Sequence, residues 1–360
     1  MAVGLWQADA AATSPGVRPD AGPMRGRMPA RCESGVREYG PMTVITPALE
    51  QAFVDATRVA ARAVHPLVGS GDKDAVDSAA VVALRGALDG VDVDGRVVVG
   101  EGEKDAAPML FVGEMFGAAP AAVADASAAS VAAVDIAVDP VDGTRSAAAG
   151  VPGAIVVLAV APRGALLDLG PAYYLQKLVS WVPDAARSLD EPVAITLERL
   201  SVRTGRPISG LTVAVQERPR NAAFAADAAA AGARVELFAD GDVERAFRGL
   251  LPGGDIDLLL GIGGAPEGVI TAAAARMLGG TMLARFAPQS SSEAERLSAA
   301  GLDSGRTYDR DELCSADAFV VVSSVTGIDL GEGARLVPVS SAGVVHTWTL
   351  GADGTTVSLG

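Results

Sequence analysis

Four short segments set acids and glycines where apolar runs end. The first is Gly69-Ser70-Gly71-Asp72-Lys73-Asp74-Ala75-Val76-Asp77. Lys73 and Asp77 stand four apart, so a helix starting here puts both on one face. The segment reads either as a capped helix N-terminus or as part of a site. The second is Val97-Val98-Val99-Gly100-Glu101-Gly102-Glu103-Lys104-Asp105. An apolar strand runs there into three clustered carboxylates, which repel unless cations hold them or one stays protonated. Hard divalent ions take oxygen ligands, so a metal is one reading and a solvated acidic loop the other.

The third segment, Val134-Asp135-Ile136-Ala137-Val138-Asp139-Pro140-Val141-Asp142-Gly143-Thr144, again ends a buried-type strand in acids. Pro140 biases Asp139 toward extended backbone, and Gly143 permits a turn into a helix. Asp139 and Asp142 can then face one ion, with Thr144 beside them. The fourth, Gly261-Ile262-Gly263-Gly264-Ala265-Pro266-Glu267-Gly268, has the form of a strand, a glycine turn and a helix start. That form suits phosphate. A dinucleotide fingerprint fails, because Pro266 stands where its third glycine belongs. Glu267 puts negative charge at the turn, which suits a cation.

The elements that would position these segments read as layered α/β structure. Thr46 and Pro47 suit the start of a helix whose apolar face runs from Leu49 to Ala63. Strand-like runs cover Arg96–Gly100, Val134–Val138, Ala154–Val160, Leu211–Val215, Ala233–Phe238, Asp257–Gly261 and Phe319–Ser323. Helical stretches cover Asp74–Leu88, Arg220–Ala231 and Glu267–Leu278. Leu336–Leu350 reads as a hairpin around Ser341-Ala342-Gly343. Residues 1–45 are rich in Ala, Gly, Pro and Arg without periodicity and read as a disordered extension.

The chain has 360 residues, with 29 Lys and Arg against 44 Asp and Glu, a net charge of −15. Such a chain repels nucleic-acid backbones. No apolar run is long enough for a membrane span. The two cysteines, Cys32 and Cys314, form no disulfide framework or zinc spacing, so a cytoplasmic setting is expected. Only three lysines occur, Lys73, Lys104 and Lys177. Where arginine serves almost everywhere, a retained lysine stands out, because the two differ in shape and hydration.

Taken in order, the segments GDKDAVD, GEGEKDAAPML, VDIAVDPVDGTR, ERPRN, DGD and GIGGAPEGV resemble those of the class II fructose-1,6-bisphosphatases. These belong to the lithium-sensitive, metal-dependent sugar and inositol phosphatases. The resemblance covers about residues 46–340 and implies a layered α-β-α-β-α sandwich. An N-terminal half (46–200) would bind metal, and a C-terminal half (201–360) would add substrate and metal residues. It implies Mn²⁺ or Mg²⁺ held by Asp77, Glu101, Asp139, Asp142 and Glu267. Thr144 would orient the attacking water, with Asp105 and Glu103 around it. The implied substrate set is Lys73, Asp142, Gly143, Thr144, Tyr174, Arg218, Pro219, Arg220, Asp240, Gly241, Asp242 and Gly264.

The implied reaction is hydrolysis of the 1-phosphate of fructose 1,6-bisphosphate to fructose 6-phosphate, a step of gluconeogenesis. The partner would be a small phosphorylated sugar, and the state a homo-oligomer, dimer or tetramer. Lys104, Ala106 and Asn221 depart from the family pattern, and Asp142 stands where many members have Glu. These departures raise an alternative substrate, such as sedoheptulose 1,7-bisphosphate or a sugar or cyclitol phosphate. A second alternative is an inactive anion- or metal-binding homologue.

Overall fold

Thr46 caps the first helix, its hydroxyl accepting from the Leu49 amide at 3.2 Å, and Pro47 opens it. In the computed structural model, which describes residues 45–100, 110–118, 131–331 and 334–360, nine helices are described. They are α1 (Pro47–Val64), α2 (Lys73–Leu88), α3 (Thr144–Ala149), α4 (Val193–Thr204), α5 (Ala222–Ala230), α6 (Asp242–Leu250), α7 (Ala265–Leu278), α8 (Ser291–Ala299) and α9 (Arg310–Leu313). The first strands are β1 (Asp94–Val99), β2 (Met115–Phe116), β3 (Ala133–Asp142), β4 (Ile155–Pro162), β5 (Tyr174–Ser180), β6 (Thr212–Gln216) and β7 (Arg234–Phe238). They continue with β8 (Leu258–Gly264), β9 (Thr281–Phe286), β10 (Tyr308–Asp309), β11 (Phe319–Ser324), β12 (Ile328–Asp329), β13 (Arg335–Leu336), β14 (His346–Gly351) and β15 (Gly354–Leu359).

Two large mixed sheets result. One has the order β15-β14-β11-β4-β3-β1-β2 and the other β10-β9-β5-β8-β6-β7. Side-chain parity sorts the strands into layers. On β4, Val156, Leu158 and Val160 pack with α1 and α2, while Ile155, Val157 and Ala159 face the opposite cluster. On β8, Leu259 faces that same central cluster, while Leu258 and Leu260 pack outward with Leu197 and Leu200 of α4. Strands covered on both faces must be apolar throughout, which is why they read as unbroken runs. Helix α7 lies between the sheets and contacts β3, β4, β5, β8 and β9. It is buried nearly all round, and Ala272–Ala275 with Gly268 keep it thin enough for the gap. The order α1/α2, sheet, α6/α7, sheet, α4/α5 is an α-β-α-β-α sandwich.

One reading from sequence changes, and two strands are missed. Strands β5 and β9 escape detection because Gln176, Lys177 and Arg285 interrupt their apolar pattern. The last hairpin turns at Ala352-Asp353, with Gly351 paired to Gly354, and not around Ser341–Gly343. The Asp353-Gly354 dipeptide was its available signal, and Gly354 takes φ 97° there. Among the described residues no helix is long and apolar enough to cross a membrane.

Candidate active site

The carboxyl ends of β1 and β3 in one sheet, and of β6, β7 and β8 in the other, open onto one cleft of about 970 Å³. Strand ends at such a crevice are where α/β sheets commonly take ligands. The end of β3 shows how the sequence shapes it. Asp139 and Asp142 are three apart, a spacing that sends regular strand side chains to opposite faces. One extra residue lies between them, since Asp139 pairs with Val157 but Asp142 with Ile155. This bulge restores the parity and brings both carboxylates to the cleft.

Glu267, in the first turn of α7, completes the group. Ligand atoms of Asp139, Asp142 and Glu267 all lie within 4.8 Å of one another. A Cβ on Gly264 would run into the Glu267 carboxylate, so glycine there keeps that side chain's position open. Asp142 Oδ2 accepts from the Val243 amide at 3.1 Å, and Asp139 Oδ1 from the Val141 amide at 3.0 Å. Burial holds the Asp142 carboxyl well above the usual range, and the charges of Asp242, Glu267 and Asp240 push it further. An oxygen-only donor set whose members repel one another fits a hard divalent cation.

Gly143 follows with φ 83°, and a Cβ there would come within 2.6 Å of the Gly153 carbonyl. Its left-handed turn delivers Thr144 to the start of α3, where the Thr144 hydroxyl donates to the Val141 carbonyl at 2.9 Å. Across the cleft, Arg218 lies 3.6 Å from Asp240, and Asp240 Oδ2 accepts from the Arg145 amide at 3.2 Å. The Arg220 guanidinium stacks on the Tyr174 ring at 4.6 Å and donates to the Ile262 carbonyl at 3.0 Å. Arginines fixed this way present a forked donor face suited to phosphate.

Of the residues singled out from sequence, the cleft brings together Lys73, Asp77, Asp139, Asp142, Gly143, Thr144, Tyr174, Arg218, Arg220, Asp240, Gly241, Asp242, Gly264 and Glu267. Asp77 lines it from α2 and is not one of the close triad. Pro219 is not in the lining; it opens the 3-10 turn between the two arginines. Glu101, Glu103, Lys104, Asp105 and Ala106 lie outside the described residues. Asn221, one of the departures, turns from the cleft to the backbone of β6 and β8. It bonds the Gln216 carbonyl at 3.1 Å and both polar groups of Ile262, at 2.7 and 3.2 Å.

Sequence reasoning missed the role of Lys177, buried behind the cleft wall against Asp242. Its rarity was the only signal. It also missed Tyr173 and Arg296 in the cleft, the guanidinium standing 4.9 Å from the Tyr173 ring. Neither lies in a motif, so nothing in the sequence pointed to them.

The family model for the bacterial fructose-1,6-bisphosphatase, glpX-encoded, matches residues 47–357. The chain is 37% identical over 295 residues to the fructose-1,6-bisphosphatase 1 class 2 of Escherichia coli strain K12, covering 78% of this chain and 84% of that protein. The fructose-1,6-bisphosphatase class 2 of Shigella flexneri matches with the same identity and coverage. A solved extragenic suppressor from Pyrococcus furiosus aligns over 57% of this chain and 71% of its own at 14% identity, with a TM-score of 0.28 that carries no weight here. A match across residues 47–357, with the acidic triad and the arginine pair in one cleft, assigns the chain to the class II fructose-1,6-bisphosphatase family.

Proposed function

We propose that this chain hydrolyses the 1-phosphate of fructose 1,6-bisphosphate, giving fructose 6-phosphate and inorganic phosphate, as a step of gluconeogenesis. The observation that carries the reading is the union of two opposite chemistries in one cleft. Asp139, Asp142 and Glu267 form a cation-seeking triad, and Arg218 and Arg220 form an anion-seeking pair. A bisphosphate needs both: one phosphate that reacts and one that is held. The family and the names of the relatives favour neither the other-sugar alternative nor the inactive one.

We assign the cation as Mg²⁺ or Mn²⁺, because all donors are carboxylate oxygens. Asp139, Asp142 and Glu267 would hold it, with Asp77 and Glu101 as further ligands. When bound, such ions supply positive charge to the reacting phosphate and lower the pKa of water. The chain's own groups do the rest. Arg218 and Arg220 grip the phosphate that stays, and Asp240 and Asp242 accept from sugar hydroxyls. Thr144 Oγ1 gives its proton to the Val141 carbonyl, so its lone pairs accept from the attacking water and orient it. Glu103 and Asp105 are assigned to the surroundings of that water. The water oxygen bonds to phosphorus as the bond from phosphorus to the sugar C1 oxygen breaks, and one of the water's protons ends on that oxygen.

The N-terminal half supplies Asp77, Asp139, Asp142 and Thr144, and the C-terminal half adds Glu267 with the substrate contacts Arg218, Arg220, Asp240 and Asp242. A homo-oligomer, dimer or tetramer, goes with this reading on the family resemblance alone, and light scattering measures it; the cytoplasmic setting goes with the cysteine usage. The mechanism is tested with Thr144→Ala. It is expected to lower kcat by about 100-fold or more while the unfolding midpoint holds. Near-normal turnover would defeat the role given to Thr144.

A further inference from the structure

Lys177 belongs to no segment that carries the family resemblance, yet it is the buried lysine among the described residues. Its side chain is 3% exposed, and its partner Asp242 is 8% exposed. The ammonium donates to the Asp242 carboxylate and, at 3.0 Å, to the Gly264 carbonyl. These acceptors come from two cleft turns, one opening α6 and one closing β8. The space is made for a lysine. A Cβ on Gly263 would collide with Asp242 Oδ2 and come within 3.0 Å of Lys177 Nζ, and one on Gly268 would lie 3.6 Å from Lys177 Cδ. An arginine's planar fork is broader than an ammonium.

Asp242 needs a reason to stay out of the metal set. The next residue, Val243, donates to Asp142 Oδ2 at 3.1 Å, and a Cβ on Gly241 would lie 3.6 Å from the same oxygen. The turn carrying Asp242 therefore abuts a triad member. Divalent cations recruit carboxylates readily, and a fourth one so close is an obvious recruit. Yet Asp242 is not among the three acids whose oxygens converge.

We infer that Lys177 divides this acidic cluster, pairing with Asp242 and the Gly264 carbonyl so that Asp242 is withheld from the metal and held for the sugar. Lys177 is thus a positioning residue that acts through Asp242. The sugar half of this inference rests on the function proposed above; the metal half rests on the triad alone.

The test is Lys177→Met in the full-length chain, stripped with chelator and titrated with Mn²⁺ by calorimetry. The variant is expected to bind Mn²⁺ at least five-fold more tightly, or to bind one more ion per chain. Its KM for fructose 1,6-bisphosphate is expected to rise at least ten-fold. A merely structural lysine would weaken both kinds of binding together. Adding Asp242→Asn to Lys177→Met is expected to return Mn²⁺ binding to the wild-type isotherm. Folded Lys177→Met with unchanged or weaker Mn²⁺ binding overturns the inference.

If near-ultraviolet circular dichroism shows that Lys177→Met does not fold, Lys177→Gln takes its place under the same criteria. Asp242→Asn alone supplies an arm that leaves Lys177 intact. It is expected to raise KM and leave the Mn²⁺ isotherm in place, and a five-fold loss of Mn²⁺ affinity overturns the inference. If the wild-type chain releases no phosphate from fructose 1,6-bisphosphate, the proposed function fails, while the Mn²⁺ arms still decide the metal half.

Discussion

Asp135 and Asp139 stand four residues apart on the same buried strand, and the fold treats their ends of β3 in opposite ways. At the Asp135 end, the carboxylate is fully buried and answered by the chain itself. Arg96 donates to both oxygens at 2.9 and 2.8 Å, Arg163 lies at 3.0 Å, and the Gly164 amide donates at 2.6 Å. At the other end, Asp142 is also buried but forms no ion pair among the described residues. It is instead crowded by Glu267, Asp240 and Asp242. A buried carboxylate satisfied from within belongs to the architecture. Acids whose ligand atoms converge within 4.8 Å form a group that could hold a cation. On the function proposed above, the difference separates a structural acid from a metal-holding one on a single strand.

The sharpest way to break this contrast is to neutralise each end. Asp142→Asn and Glu267→Gln are each expected to reduce turnover by about a thousand-fold or more. Calorimetry should show weaker Mn²⁺ binding, while the metal-free protein melts no lower than wild type because a repulsion has been removed. A drop in metal-free stability would mean that the triad acts as ordinary architecture. Asp135→Asn is expected to do the reverse. It takes the carboxylate charge from Arg96, whereas Arg163 keeps Asp94 at 3.1 Å, so urea unfolding should show a loss of about 2–3 kcal/mol. The folded variant should keep its turnover. Loss of turnover at full stability would erase the distinction.

Gly143→Ala probes the joint between strand and site. An alanine at φ 83° costs about 1–2 kcal/mol, before its contact with the Gly153 carbonyl is counted. The displaced Thr144 should lower kcat more than it raises KM, as steady-state kinetics will show. Cys314 gives the smallest effect and a third treatment of a buried ionisable group, which is to keep it neutral. Burial pushes its thiol up to about 11. At pH 8 it should alkylate far more slowly in the native protein than in urea, read by mapping the Cys314 peptide, with reactivity rising as pH approaches 11.

Much of this is legible in the sequence, for identifiable reasons. Strands covered on both faces must be continuous apolar runs, so β3, β4, β8 and β11 announce themselves. Acids placed directly after such runs mark the cleft. The convergence of Asp139 and Asp142 can be read from their segment, but its cause is hidden. A bulge is a matter of pairing register between β3 and β4, and a single strand does not display it. Lys177 and Arg285 conceal β5 and β9, since a charged residue inside a strand is explained only by the partner it meets. Asn221 departs from the family pattern beside the arginine pair, yet its bonds go to the backbone of neighbouring strands. A local pattern records residue type and spacing; it does not record which way a turn faces.

The most direct test is phosphate release from fructose 1,6-bisphosphate by chelator-stripped wild-type protein, with Mn²⁺, with Mg²⁺ and with EDTA, beside Asp142→Asn. The triad should make release depend on added divalent ion, with EDTA and Asp142→Asn each abolishing it. Release that persists in EDTA, or survives in Asp142→Asn at the wild-type rate, would contradict the account that these acids exist to hold a cation.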